Sequence, residues 1–96
     1  MVVATQSERR AWAPAEVQPA VEGVVGHATD VRPLRGSLEL VGDLGFDSLA
    51  VIEIMAELED EFEITITERD LRQVFTLGDV VAAVRGRLAE QGRLVP

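Results

Sequence analysis

The sequence lacks several residue types, and each absence excludes a kind of chemistry. None of the 96 residues is a cysteine, so a disulfide framework, a zinc–thiolate site and a cysteine nucleophile are excluded. His27 is the only histidine, and lysine is absent. A site with several histidine ligands is therefore excluded, and we predict neither a metal site nor a catalytic residue. The chain is not expected to be an enzyme.

Long apolar runs are also absent, and basic residues are few. The longest apolar runs are too short to span a membrane, and residues 1–10 lack the pattern of a signal peptide. We therefore expect a cytoplasmic protein with no membrane partner. Nine basic against seventeen acidic residues give a net charge of −8. Because such a chain repels phosphates and its own copies, we predict no nucleic-acid partner and a monomer.

The negative charge is concentrated in the middle of the chain. Residues 43–70 contain ten acidic residues and one arginine, Arg69, whereas the remainder is nearly neutral. A solvated helix face accounts for a charge block of this kind. A docking surface for basic partners is the alternative, because complementary charge steers association.

The spacing of the apolar residues predicts an all-α fold. Three main helices and one short helix are predicted, over residues 16–29, 48–62, 68–73 and 77–89. Pro19 then has to lie in the first turn of the first helix. A long loop over residues 30–46 separates the first two main helices, and the whole is a small four-helix bundle.

The predicted organisation is one domain with two tails. The domain covers residues 16–90, between a flexible N-terminal tail over residues 1–15 and a C-terminal tail over residues 91–96. Residues 1–15 show no clean helical period and suit a mobile tail.

The helix over residues 48–62 has two apolar faces. One face suits the core and consists of Val51, Ile54, Met55, Leu58 and Phe62. A second stripe, of Leu49, Ile52 and Ala56, is rimmed by carboxylates. A helix packed on one core needs only the first face. The second stripe is therefore either a partner surface or is covered by a loop.

Ser48 stands at the start of this helix, beside Asp47. Free amides and the partial positive charge of a helix N-terminus favour a phosphate ester at that position. No lysine exists and the single histidine belongs to another helix, so the chain offers no base to activate the hydroxyl. Ser48 is thus either a plain capping residue or a serine that another enzyme modifies.

The segment Asp43-Leu-Gly-Phe-Asp-Ser-Leu49, followed by Leu58-Glu-Asp-Glu-Phe62, closely resembles the acyl carrier and peptidyl carrier protein family. The resemblance covers about residues 21–88. The sequence departs from the common family pattern at Ala50, Ala56 and Thr67.

The resemblance implies an acyl-carrier-protein-like bundle and a covalent cofactor. Ser48 would receive 4′-phosphopantetheine from coenzyme A through a separate, magnesium-dependent phosphopantetheinyl transferase, with Asp47 and Leu49 recognised beside it. The residues matching the family's partner-docking positions are Ile52, Glu53, Ala56, Glu59 and Asp60. The expected partners are this transferase and an acyl- or aminoacyl-loading enzyme, an acyltransferase or a ketosynthase.

The function implied is that of a discrete acyl or aminoacyl carrier protein. Its phosphopantetheine thiol would shuttle thioester intermediates between enzymes of specialised metabolism of the polyketide or nonribosomal peptide type. Two alternatives remain open. One is a carrier of fatty-acid synthesis, and the other is an unmodified helical interaction module with an acidic docking face.

Overall fold

The computed structural model describes residues 9–96, which form four α-helices and no β-strand. The helices are α1 (Pro14–Gly26), α2 (Ser48–Phe62), α3 (Glu68–Arg72) and α4 (Leu77–Glu90). This arrangement confirms the predicted all-α fold of three main helices and one short helix.

The core is aliphatic and lies between α1, α2 and α4, which pack on one another. The burial of these side chains is the main favourable contribution to folding. Val51, expected on the core face of α2, is only half-buried. The buried side chains are Trp12, Val17, Val21, Val25, Leu40, Leu44, Phe46, Ile54, Met55, Leu58, Phe62, Ile64, Leu77, Val80, Val81, Val84 and Leu88.

The first helix starts and ends earlier than the sequence predicts. Pro14 occupies the first helical position, and the carboxylate of Glu16 accepts a hydrogen bond from the Ala13 N–H at 2.9 Å. Proline suits this position because its fixed φ is already helical. Pro19 consequently lies in the second turn, and the prediction of a first-turn position is wrong. Because proline has no N–H, the Ala15 carbonyl lacks its helical hydrogen bond. Ala15 is exposed, so water can donate to this carbonyl instead.

The two short connections after α2 each end in a capping box. At the start of α4, Asp79 N–H donates to Thr76 Oγ1 at 3.2 Å, and Thr76 N–H donates to Asp79 Oδ2 at 2.9 Å. Thr67 and Asp70 repeat this arrangement at the start of α3. Each box satisfies backbone N–H groups that have no acceptor within the helix.

The long loop between α1 and α2 is pinned to the start of α4. Leu40 N–H donates to the Phe75 carbonyl at 3.1 Å, and Leu77 N–H donates to the Leu38 carbonyl at 2.9 Å. Gly78 N–H donates to the Gly36 carbonyl at 2.8 Å, and a Cβ on Gly78 would lie only 3.1 Å from that oxygen. Glycine at position 78 therefore permits the close approach of the two segments.

Residues near the two ends of the described range, 9–96, pair with each other. Trp12 N–H donates to the Arg93 carbonyl at 2.7 Å, and Val95 N–H donates to the Trp12 carbonyl at 2.8 Å. The Trp12 ring is buried 4.5 Å from the Phe62 ring, centroid to centroid. We call this pairing, over residues 9–13 and 91–95, the terminal clasp. Both segments were expected in tails, over residues 1–15 and 91–96; residues 1–8 of the predicted flexible tail lie outside the described residues.

Arg93 joins the clasp to the end of α2. Its guanidinium donates to the carbonyls of Phe62 at 2.7 Å, Glu63 at 3.0 Å and Arg10 at 3.0 Å, and the residue is buried. This burial lowers the pKa of Arg93 from its ordinary value, which still leaves the side chain charged. A cation at the carbonyl end of a helix is favourable because the helix dipole is negative there.

We expect Arg93→Met to lower the free energy of unfolding by about 2 kcal/mol or more, because three partly buried carbonyls lose a charged donor. Arg72→Met is the matched control, since Arg72 lies on the exposed side of α3 with its side chain 76% exposed. The control should change stability by less than about 0.5 kcal/mol. Urea denaturation followed by circular dichroism measures both. Equal effects of the two substitutions would contradict this role of Arg93.

Candidate functional site

The start of α2 is shaped by two aspartates and a glycine. Asp47 is the N-cap, and its Oδ1 accepts a hydrogen bond from Ala50 N–H at 2.8 Å. Asp43 Oδ2 accepts from Glu39 N–H at 2.7 Å and closes the preceding turn. Gly45 has φ +73°, a left-handed conformation that favours glycine. These three residues together direct the chain from the loop into the helix.

Ser48 is the first residue of α2, and it is exposed. Because Asp47 binds the amide of Ala50, the N–H groups of Ser48 and Leu49 remain without an acceptor among residues 9–96. Unpaired amides at a helix N-terminus attract an anionic phosphate group. The serine hydroxyl is thus accessible to another enzyme, and a phosphate ester on it would lie beside these donors.

An apolar groove of about 280 Å³ opens beside Ser48. One wall is α2, and the other consists of the loop turn, α3 and the α3–α4 linker. The lining residues besides Ser48 are Leu40, Val41, Val51, Ile52, Leu71, Val74 and Phe75. An apolar groove with a single reactive hydroxyl at its edge can hold a flexible chain attached to that hydroxyl.

The second wall of the groove was not predicted from the sequence. Leu71, Val74 and Phe75 follow α2 by about ten residues or more, and Val41 precedes it in the loop. The sequence did contain one indication of this wall. Apolar residues occur in these short connections, where polar residues are usual. The backbone hydrogen bonds between the two segments, such as that from Leu40 N–H to the Phe75 carbonyl, show that they meet.

The structure separates the predicted site residues into two groups. Leu49 and Ile52 are 62% and 57% exposed, and no loop within residues 9–96 covers the second apolar stripe of α2. The other exposed members are Asp47, Ser48, Glu53, Ala56 and Asp60. Glu59 differs, because it is half-buried and its Oε2 accepts a hydrogen bond from Ile66 N–H at 2.7 Å. Glu59 therefore holds the α2–α3 connection in place.

Residues 9–96 contain neither a cluster of possible metal ligands nor a helix able to cross a membrane. No group of three or more histidine, aspartate or glutamate side chains in this part of the chain is arranged to hold a metal ion. None of its helices has both the length and the hydropathy that crossing a bilayer demands.

Comparison with known proteins decides the family. Residues 18–84 match the family model described as a phosphopantetheine attachment site. The chain belongs to the phosphopantetheine-binding family of acyl carrier proteins. It is 41% identical over 73 residues to the acyl carrier protein of Exiguobacterium sp., covering 76% of this chain and 90% of that protein. A solved structure named "a putative acyl carrier protein" from Mycobacterium tuberculosis is 38% identical, with a TM-score of 0.59 over 74% of this chain and 92% of its own.

Membership of this family has direct consequences for function. The protein carries covalently attached 4′-phosphopantetheine, and it is a carrier rather than an enzyme. Its partners are a phosphopantetheinyl transferase and acyl-handling enzymes. Two departures from the common pattern have local explanations in this carrier protein. Ala50 is half-buried against the core, and Thr67 caps α3.

Two carboxylates hold the second wall of the groove in place. Phe75 N–H and Thr76 N–H both donate to Asp79 Oδ2 at 2.9 Å, and these bonds lower the pKa of Asp79 from its ordinary value. The backbone N–H of Thr67, followed by Arg87, lowers the pKa of Asp70 in the same way. A carboxylate whose pKa is lowered by folding stabilises the fold at pH values above its ordinary pKa. This stabilisation is lost as the pH falls through the lowered pKa of the folded state.

We expect Asp79→Asn to lower the free energy of unfolding at pH 7 by about 1 kcal/mol, because a neutral amide oxygen accepts the two N–H groups less strongly. The difference in the free energy of unfolding between this variant and the unsubstituted protein should shrink as the pH falls below about 4. At that pH the Asp79 carboxyl group of the unsubstituted protein becomes protonated and loses its charge. Urea denaturation between neutral and acidic pH measures it. Glu68→Gln, on the exposed side of α3, is the control and should cost less than about 0.5 kcal/mol at pH 7. A difference independent of pH would contradict the role of the Asp79 charge.

Proposed function

We propose that this protein is a discrete carrier that bears its 4′-phosphopantetheine on Ser48 and shuttles thioester intermediates in specialised metabolism of the polyketide or nonribosomal peptide type. The observation that carries the attachment site is an exposed serine hydroxyl beside two unpaired amides and an apolar groove. Ser37, the other serine among the described residues, lies in the preceding loop and lines no part of this groove.

The attachment is a phosphoryl transfer in which Ser48 is the acceptor. Ser48 Oγ forms a bond to the pantetheine-side phosphorus of coenzyme A, and the bond from that phosphorus to the departing adenosine 3′,5′-bisphosphate breaks. The serine proton passes to a base of the transferase, since the chain has no lysine and its single histidine, His27, lies at the end of α1. The partly positive N-terminus of α2 favours the resulting phosphodiester anion.

The residues present fit the arm and its cargo. The N–H groups of Ser48 and Leu49 are the donors nearest to the phosphate position. The groove side chains of Val51, Ile52 and Val74 offer an apolar surface to a flexible chain. When bound, the group supplies the thiol that this cysteine-free chain lacks.

The choice of pathway rests on composition. The charged residues of α1 are Glu16 and Glu22 alone, and lysine is absent from the whole chain. The sparsely charged α1 supports specialised metabolism over a highly charged housekeeping carrier. A carrier of fatty-acid synthesis is the second candidate, because the name of the Exiguobacterium sp. relative, acyl carrier protein, fits either pathway.

The exposed side of α2 is the proposed docking surface for partner enzymes. Leu49, Ile52 and Ala56 form its apolar stripe, with Glu53 and Asp60 alongside. The helix contains five carboxylates and no basic residue, so it suits partners with basic surfaces around their active-site entrances. Glu59 contributes its charge, although one of its oxygens is engaged by Ile66.

We expect Ser48→Ala to abolish modification by coenzyme A, magnesium and a promiscuous phosphopantetheinyl transferase. Intact mass spectrometry with peptide mapping measures the gain of one phosphopantetheine. The substitution should leave stability nearly unchanged, because Asp47 and not Ser48 caps α2. Ser37→Ala is the matched control and should be modified as fully as the unsubstituted protein. Modification that persists in Ser48→Ala would place the arm elsewhere.

The same experiment tests the remaining alternative. If the folded, unsubstituted protein gains no phosphopantetheine with several different transferases, an unmodified interaction module becomes the better description. The search for function would then turn to proteins that bind the acidic side of α2.

We expect Glu53→Arg to slow modification at low salt by about tenfold, mainly through a higher KM, because it replaces an attractive charge with a repulsive one. Asp30→Arg makes the same change of charge in the exposed loop after α1 and is the control. Initial rates against carrier concentration, at low and at high salt, separate the two variants. The effect should weaken at high salt because exposed charges are screened; equal rates for both variants would contradict a docking role for Glu53.

A further inference from the structure

The large exposed apolar side chains of residues 9–96 are concentrated at one site. They are Val41, Leu49, Ile52, Phe75 and Val95. Val41, Ile52 and Phe75 line the groove beside Ser48, and Leu49 adjoins that serine in the chain. Val95 alone belongs to the terminal clasp. The solvent-exposed apolar surface is therefore gathered around the attachment residue, on both sides of the groove.

Val41 and Phe75 are not required by the core. They are 65% and 63% exposed, whereas their neighbours Leu40 and Leu77 are 4% and 0% exposed. Folding alone would tolerate a polar residue at either exposed position, since a polar side chain is better solvated there. An exposed apolar patch of this kind marks an interaction surface.

Both side chains project from backbone that is fixed. The Phe75 N–H donates to Asp79 Oδ2 at 2.9 Å, and its carbonyl accepts from Leu40 N–H at 3.1 Å. The Val41 carbonyl accepts from Gly45 N–H at 3.1 Å. Because both backbone segments are already held in place, little conformational entropy remains to be lost when a partner covers these side chains.

We propose that Val41 and Phe75 form a second, apolar half of the docking surface, opposite α2, with Phe75 as its anchor. The occupant is an apolar recess at the entrance of the phosphopantetheinyl transferase active site, flanked by basic side chains. This inference rests on the proposed function, because it takes Ser48 as the residue that the transferase must reach.

Charge and position together select this occupant. Ser48 lies in the groove between Ile52 on one wall and Phe75 on the other, so an enzyme acting on its hydroxyl covers both walls. The exposed carboxylates of Glu53 and Asp60 border the α2 side, which fits basic groups at the edge of that enzyme's entrance. Aromatic side chains are enriched at the centres of protein interfaces, where they fill apolar pockets.

The test is the kinetics of modification of the apo protein, with a purified promiscuous transferase and coenzyme A. We expect Phe75→Ser to lower kcat/KM by about tenfold, mostly through KM, as for loss of an interface anchor. Phe75→Leu, which keeps an apolar side chain, should retain most of the activity. Val95→Ser removes the exposed apolar side chain of the terminal clasp and should leave kcat/KM unchanged. The apo protein has no arm, so a KM effect cannot arise from loss of shelter for the arm.

Each remaining outcome is decisive. If the unsubstituted protein is modified and Phe75→Ser has the same kcat/KM as Val95→Ser, the proposed role of Val41 and Phe75 in docking is refuted. The carrier function then still stands. If the unsubstituted protein is not modified at Ser48, the proposed function itself fails. Should Phe75→Ser fail to fold by circular dichroism, Val41→Thr replaces it, with a reduced kcat/KM again expected. Size-exclusion chromatography that shows a dimer lost in Phe75→Ser would assign the patch to a second copy of the chain and overturn the proposal.

Discussion

A helix can bury only one face in a single core, and the rest of this structure depends on how α2 meets that constraint. Ile54, Met55, Leu58 and Phe62 turn inward against α1 and α4. Leu49, Ile52 and Ala56, on the other side of the helix, are then necessarily directed to solvent, while Ala50 and Val51 are half-buried. Exposure of these side chains stabilises nothing in the isolated chain. On the proposed docking role of α2, partner enzymes cover these side chains, which would account for their presence.

The loop before α2 acts as part of the site. Its backbone pairs with the segment that leads into α4, through Leu38, Leu40, Phe75 and Leu77. This pairing spans more than thirty residues of sequence and places the loop turn opposite α2. The groove beside Ser48 exists because the loop is held at this distance. Asp79 supports this arrangement, since it completes the capping box of α4 with Thr76 and accepts a hydrogen bond from the amide of Phe75.

The terminal clasp performs a different task at the far end of α2. Trp12 and Arg93 come from opposite ends of the chain, and both contact Phe62 or its carbonyl. A chain of this size has a limited core. One buried tryptophan and one guanidinium with several hydrogen bonds therefore make a large relative contribution to its stability. The arrangement closes the core at the end of α2 opposite Ser48, so that substitutions in the clasp can serve as controls for the docking surface.

The sequence by itself determined every element whose cause is local. The bounds of α2, the capping boxes of Thr67 and Thr76, the two faces of α2 and the position of Ser48 follow from periodicity and capping over a few residues. The family motif around Ser48 is equally local. These features needed no knowledge of distant neighbours, because each is set by contacts within one or two helical turns.

Only the tertiary structure decided the features that join distant segments. The clasp between Trp12 and Arg93, the groove wall of Val41 and Phe75, and the engagement of Glu59 by Ile66 could not be predicted. In each case, the residue type is compatible with an ordinary loop, tail or helix surface. Its role arises from hydrogen bonds to another segment, and no periodicity in the sequence records which segments the folded chain brings together.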